Sequence, residues 1–396
     1  MTSVATDTAF AGHRHWVDQL PADFYRQSPK VRRGFNPAMT FTVGVDLVIR
    51  TGLSVAMAGF SIPSDYSGAK LASVLRQGSQ LSGRSDAELF HQPRLLPAVE
   101  IQEARRPKGV DGGIFEQWQW QSLYQPDAAT VPADNGSTNN APASNAPSNN
   151  DNVVAWYWRH GDKPRPTIVL VHGFLAPWWE VNEFYLGLRF LYDLGCDVVL
   201  KTLPHHGPRA RSAKRVSGMG YFSRGVDSLN HAVVQSTYDI RTLVDLLQQR
   251  GVHKIGLSGV SLGGYTSALM AGLDDRFDFV MPLVPLISIP DAMMEWKPLD
   301  RIAKTFMRRY NVDMVDLRNT MAFHSPLARP ALLPPDRLLI IAGMGDCLAS
   351  PRHSETLQQH WGNCDLHWYA GAHALPRQQY QTNLVKQAFL TRIGFI

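Results

Sequence analysis

Only three of the 396 residues are cysteine (Cys196, Cys347 and Cys364), scattered and with no C-x-x-C pair, which argues against both a disulfide framework and a zinc site. Charge of either sign is modest: 39 Lys and Arg against 34 Asp and Glu leave a net +5, too small a surplus to imply a nucleic-acid partner. Residues 1–16 lack a basic start followed by an apolar run, so no secretory signal is read there and a cytoplasmic location is expected. Long apolar runs are scarce too. The one stretch that raises the question of a membrane span, 39–62, carries Asp46 and Arg50. Two charges near the middle of a span are costly, and their four-residue spacing suits an ion pair on a soluble helix. We read it as a buried or surface-packed helix.

What is present is an ordinary globular composition, 44% hydrophobic and 18% charged, at a length that fits one large α/β domain with an appendage. Positive charge gathers locally: Arg209, Arg211, Lys214, Arg215 and Arg224 occur with no acid between Pro204 and Gly225. A solvated surface loop is the plainer reading; a landing patch for an anionic head group, hence peripheral membrane contact, is the sharper one. Residues 126–152 are mostly Asn, Ala, Pro, Ser and Asp, with no aromatic side chain. Such a tract cannot bury enough apolar area to offset its ordering entropy, and disorder is expected. Before it, Ile114, Trp118, Trp120 and Tyr124 share one parity and Gln117, Gln119 and Gln121 the other, as in a half-buried strand. After it, 153–158 is a second aromatic and β-branched run. The tract therefore reads as an overgrown hairpin loop inside a sheet.

From 167 onward the pattern alternates. Strands are predicted at 167–171, 197–203, 253–257, 277–283, 337–342 and 365–369, and helices at 180–194, 232–248 and 378–390. Alternation of this kind requires a mostly parallel, twisted sheet covered by helices on both faces, with functional residues at the carboxyl ends of its strands. Residues 1–110 carry no motif tied to a chemistry. Helices are expected there at 69–77 and 85–90, the latter from a Ser85 cap with Glu88 three residues on, and the region is read as a helical appendage to a domain of 111–396.

The most informative stretch is Gly259-Val260-Ser261-Leu262-Gly263-Gly264, a G-x-S-x-G sequence between a strand pattern and a helical one. A turn that lifts a serine hydroxyl clear of a sheet has little room, so Gly259 and Gly263 relieve the clash on either side. An activated serine needs a base within reach and a third group to orient that base. Asp346 follows the strand at 337–342 and His373 the strand at 365–369, in the order serine, acid, histidine. Asp291, just past 277–283, is the rival acid; His324, His353, His360 and His367 are less well placed as base. An oxyanion needs two backbone donors. Leu262 supplies one, and Phe174 the other, from the loop His172-Gly173-Phe174-Leu175, where Gly173 lets the chain turn and His172 is a hydrogen-bonded turn residue. Met293, Met294, Trp296, Phe306, Met307 and Met314 stud an insertion at 291–336 that is either ordinary packing or a lid. Trp178, Trp179 and Tyr185 are candidate walls of the same pocket. His205 and His206 have no carboxylate partner nearby, and no metal is expected.

These features resemble the α/β-hydrolase superfamily, of the serine esterase and lipase type, over about residues 110–396. The likeness rests on the His172-Gly173 loop, the elbow at 259–264, the Asp346 loop and Gly371-Ala372-His373. Residues 203–209 and 282–288 are further similar to a branch of abhydrolase-domain proteins reported as lipid-directed in eukaryotes. The resemblance implies attack by Ser261 on an acyl carbonyl, with His373 as general base and then acid, and an acyl-enzyme that water deacylates. It implies a small-molecule or lipid ester as substrate and no cofactor. Thioesterase, amidase and acyltransferase chemistry stay open beside ester hydrolysis. So does a non-catalytic hydrolase-fold binding protein, although such a scaffold has no physical need of an intact serine, acid and histidine.

Overall fold

The computed structural model describes residues 13, 15–31, 37–60, 68–91, 95–125, 149–210, 217–222 and 225–396. Among them run nine strands: β1 (Glu100–Glu103), β2 (Ile114–Gln121), β3 (Asn152–Arg159), β4 (Thr167–Val171), β5 (Asp197–Lys201), β6 (Ile255–Val260), β7 (Phe279–Leu283), β8 (Leu339–Gly343) and β9 (Asp365–Tyr369). They form one sheet in the order β1-β2-β3-β5-β4-β6-β7-β8-β9. β1, β2, β3 and β5 pair antiparallel in succession, and every pairing from β5 through β4 to β9 is parallel. The sequence explains the division. β4 and β8 read Thr-Ile-Val-Leu-Val and Leu-Ile-Ile-Ala-Gly and are buried at every position, as parallel strands with both faces covered must be.

The helices that position the site are α1 (Pro37–Phe60), α2 (Gly68–Ser82), α3 (Trp179–Leu186), α4 (Val226–Gln249), α5 (Leu262–Met270), α6 (Ile289–Glu295), α7 (Leu299–Tyr310), α8 (Pro351–His360) and α9 (Gln379–Arg392). Two apolar cores flank the sheet, because successive side chains of a strand point to opposite faces. Val169, Val171, Val199 and Leu257 pack with Val233, Ile240 and Leu247 of α4 on one side. Ile168, Leu170, Val198 and Met281 pack with Leu186 and Phe389 on the other.

Several local expectations change. The helix expected at 180–194 breaks at Gly187, whose φ of 68° ends one helix and caps the next. The N-terminal region is not wholly helical, since β1 lies within it and pairs with β2; all four of its residues are exposed, so no alternation marked it. Gln121 stands opposite Asn152, which makes the intervening residues a hairpin connection. Of the low-complexity tract, 126–148 lies outside the described residues. Its last part, expected to be disordered, is ordered: Asn149–Asp151 form a 3-10 turn. There the Asn150 carbonyl accepts from Arg209 Nε and Nη2 at 2.9 and 2.7 Å, and its side-chain oxygen accepts the His205 N–H at 2.8 Å. Arg209, read as part of a surface patch, is fully buried and pairs with Asp239 at 2.8 Å. Arg211, Lys214, Arg215 and Arg224 lie outside the described residues.

Asp291, the rival acid, has a structural occupation. Its two oxygens accept from Arg318 Nη2 and Nε at 2.7 and 2.9 Å, and Arg318 also donates to the carbonyls of Leu20 and Pro21 at 2.7 and 2.8 Å. Both partners are fully buried, so the pair bolts the N-terminal segment to the insertion. Replacing one member strands a buried charge. Arg318→Met is expected to lower unfolding free energy by about 3–5 kcal/mol, read as a drop in the urea midpoint, and the double variant Asp291→Asn/Arg318→Met is expected to recover part of it.

Candidate active site

β6 ends at Val260 and α5 begins at Leu262, so Ser261 alone makes the turn, at φ 57° and ψ −112°. A non-glycine residue holds such a conformation only when its surroundings over-determine it. Here the Ser261 N–H donates to the Leu283 carbonyl at 2.9 Å and the Ser261 carbonyl accepts from Tyr265 N at 2.8 Å. The neighbours must be small. A Cβ on Gly259 would lie 2.3 Å from the Gly263 carbonyl oxygen, one on Gly263 2.1 Å from that of Val171, and one on Gly264 2.7 Å from that of Leu283. Gly264 thus joins the two glycines that the spacing picked out.

Asp346 sits in the turn after β8. Its Oδ1 accepts the N–H groups of Leu348 and Ala349 at 2.8 and 2.7 Å, which leaves Oδ2 to take the His373 Nδ1–H at 2.7 Å. Burial pulls the imidazole pKa down, but the Asp346 charge and hydrogen bond, with Asp46 adding to them, outweigh it and hold His373 above the ordinary histidine value. Ser261 and His373 face one cavity of about 270 Å³. Among the described residues Ser261 Oγ makes no hydrogen bond to the imidazole; such nucleophile–base contacts commonly tighten only in the substrate complex.

The loop at 172–175 meets the elbow from the side. Gly173, Phe174 and Leu175 line the cavity with Ser261 and Leu262. Among the described residues, neither the Phe174 N–H nor the Leu262 N–H is taken by a protein carbonyl, so both are available to an oxyanion. Gly173 matters for closeness, its would-be Cβ lying 3.3 Å from the Val260 oxygen, whereas the positive φ of the loop, 65°, belongs to Leu175. His172 is a turn residue: Nδ1 donates to the Gly173 carbonyl at 2.7 Å and Nε2 accepts from Leu203 N at 3.0 Å. Burial keeps it neutral, with its pKa pushed down to about 3.

The roof comes from two places. Met293 and Trp296 of the insertion line the Ser261 cavity, together with Ile49, Leu53 and Met57 of α1. Phe222 and Met293 also border a second, more apolar cavity of about 150 Å³ that takes in Met294, Phe306 and Met307; Met314 is buried apart from both. Tyr185 reaches the site and donates to the Ala374 carbonyl at 2.8 Å. Trp179 does not: it packs edge-on against Phe115, 5.0 Å between ring centroids, on a core face, and Trp178 is exposed.

The other histidines have partners of their own. His324 bonds Tyr265 and Asn230, His353 accepts from Ile287 N, His360 reaches the Arg329 carbonyl, and His367 meets Thr382. His206 Nδ1 donates to the Pro204 carbonyl at 2.7 Å.

The sequence reading gave Asp46 an ion pair with Arg50 and no place in the site. Asp46, buried completely in α1, accepts the N–H groups of Cys347, His373 and Ala374 at 3.1, 2.8 and 2.8 Å. It does not pair with Arg50, which donates to the Cys347 carbonyl at 3.2 Å. The available signal was an acid in the middle of an otherwise apolar run.

No family model matches the chain. Two solved structures superpose over most of it, acetyl xylan esterase 1 from a Thermoanaerobacterium species and an acetyl xylan esterase from a Paenibacillus species. Each gives a TM-score of 0.52 at 13% identity, covering 86% and 85% of this chain and 98% of its own. The chain has the α/β-hydrolase fold. Among curated sequences, two uncharacterized proteins of Mycobacterium tuberculosis are 32% identical over 257 residues, 62% of this chain. This hydrolase-fold chain spans 59% of the length of those relatives.

The Asp346–His373 contact makes a prediction that needs no substrate. In protein with carbon-13-labelled histidine, the His373 ring is expected to titrate above about 6.5, the ordinary value, and Asp346→Asn is expected to move that titration to lower pH.

Proposed function

We propose that the protein is a cofactor-free serine hydrolase of carboxylic esters with apolar acyl groups, lipid esters among them. The observation that carries this reading is that a strained elbow serine and an aspartate-paired histidine face one apolar cavity. The esterase names of the two superposing structures support hydrolysis of esters. The apolar second cavity behind Met293 supports an apolar acyl chain, and gives the insertion at 291–336 the part of a roof. α1 also turns Phe41, Val48 and Val55, seven residues apart and more than half exposed, away from the protein. Such a stripe suits substrate met at a lipid–water interface, where an amphipathic helix beds its apolar face. Pro37–Met57 is long and apolar enough by composition to cross a membrane, but a spanning arrangement would take Asp46 from its three amides.

In this mechanism His373 Nε2 takes the Ser261 proton as Oγ attacks the acyl carbon. The carbonyl oxygen becomes an oxyanion facing the N–H groups of Phe174 and Leu262. Collapse breaks the bond to the leaving alcohol, which receives the proton from the imidazolium and departs. Water then repeats the sequence on the acyl-enzyme, giving its proton to His373, and the acid leaves as Ser261 is reprotonated. Asp346 fixes the tautomer that leaves Nε2 free to accept and stabilises the imidazolium.

A fluorophosphonate probe is expected to label the wild type and not Ser261→Ala, and ester turnover in that variant is expected to fall roughly a millionfold. Labelling that survives the alanine change, or wild type that resists the probe, refutes the assignment. For the acyl site, Met293→Trp is expected to cut kcat/KM for decanoyl esters by about tenfold or more while leaving acetyl esters within about threefold. Equal losses on both would remove the second cavity from the substrate path.

A further inference from the structure

The acid and the base stand on different loops, one after β8 and one after β9, and something must hold those loops in register. Among the described residues, the Asp346 carboxylate bonds only amides of its own turn apart from His373 itself. The two loops are joined directly by the Gly345 N–H, which donates to the Gly371 carbonyl at 2.8 Å, and a further cross-link comes from outside the parallel sheet. Oδ2 of Asp46 receives the N–H of Cys347, next to the acid, and also the N–H of the base His373, while Oδ1 receives that of Ala374. One carboxylate thereby bridges both loops. One turn along α1, Arg50 holds the Cys347 carbonyl at 3.2 Å. From the far side, Tyr185 holds the Ala374 carbonyl at 2.8 Å and Tyr369 the Ala372 carbonyl at 3.1 Å.

We infer that Asp46 is a positioning residue for the reaction proposed above: beyond the Gly345–Gly371 bond, its buried carboxylate ties the acid and base loops at the reacting residues themselves, and so aims the His373 ring at Ser261. The inference rests on the reading of Ser261 as nucleophile. It also makes α1 part of the catalytic unit, since Ile49, Leu53 and Met57 of the same helix wall the cavity. A carboxylate suits the task better than its amide. Three N–H donors converge on it, and an asparagine turns its own NH2 toward at least one of them.

The charge has a second effect. The ionisable groups that face Asp46 are Asp346, His373, Tyr185 and Tyr369, with Arg50 on its own helix. Burial and the Asp346 charge raise the Asp46 pKa, while His373 and the amides pull against them. An ionised Asp46 favours the protonated imidazole. Losing that charge therefore moves the His373 titration, and the acid limb of activity, to lower pH.

The test uses the full chain, with acetyl and decanoyl esters, a fluorophosphonate and histidine NMR. Asp46→Asn is expected to lower kcat by about 10- to 100-fold, as a misplacement near 1 Å does, with KM within about threefold and the His373 titration shifted down. Asp46→Glu keeps the charge and changes its reach: a smaller loss of kcat with the titration near its wild-type position is expected, and this variant decides the matter should the asparagine variant fail to fold. A folded Asp46→Asn with wild-type kcat and an unmoved His373 titration overturns the inference, as does Asp46→Glu with wild-type kcat. Should the wild type resist the fluorophosphonate, the proposed function falls alone, and the NMR shift still decides whether Asp46 acts on His373.

Discussion

At Ser261 the backbone passes through a conformation that costs on the order of 1–3 kcal/mol, and the surrounding sheet is built so that no other is open to it. Val171 lies opposite Gly259 across β4 and β6, and Leu283 opposite Val260 across β6 and β7. The carbonyls of those two residues close on Gly263 and Gly264, while Leu283 also takes the Ser261 amide. Strand register, helix start and serine orientation are one constraint seen from three sides. A slip of one residue would put side chains where only hydrogens fit.

Around this elbow the protein sets buried carboxylates, each satisfied in a different way, as buried charge requires. Asp291 has a guanidinium, Asp239 has Arg209 with Lys201 at 3.5 Å, and Asp46 has backbone amides alone. The first two join chain segments across the body of the fold. The third lies where a cation would compete with the imidazole for Asp346, and amides avoid that competition because they carry no net charge.

The legible parts of the chain were those whose determinants are local. A fully buried parallel strand is an apolar run whatever surrounds it, so β4 was placed to the residue. The elbow announced itself because small residues must stand two before and two after the serine for steric reasons, as Gly259 and Gly263 do, and Asp346 and His373 followed from chain order at strand ends. What stayed hidden depends on partners remote in sequence. Asp46 meets amides 301, 327 and 328 residues away, and an apolar helix gives no hint of where its single acid points. Arg209 looked like surface charge because Asp239 lies a loop and half a helix further on. β1 offered only exposed side chains, and Trp179 followed the packing of Phe115 and Trp158 rather than the pocket its neighbours line.

One helix supplies both the ceiling over Ser261 and the carboxylate that ties down the histidine loop. In many enzymes the shape of the cavity and the alignment of the catalytic groups belong to separate segments, so one can drift while the other stays. Here they are mechanically joined: a displacement of α1 that enlarges the room beside Ile49, Leu53 and Met57 also pulls on the amides of His373 and Ala374. On the proposed function, widening the substrate range by loosening that helix is therefore closed to this chain unless some other acceptor takes over those amides, and variation in what it accepts gathers instead on the α6 side of the cavity.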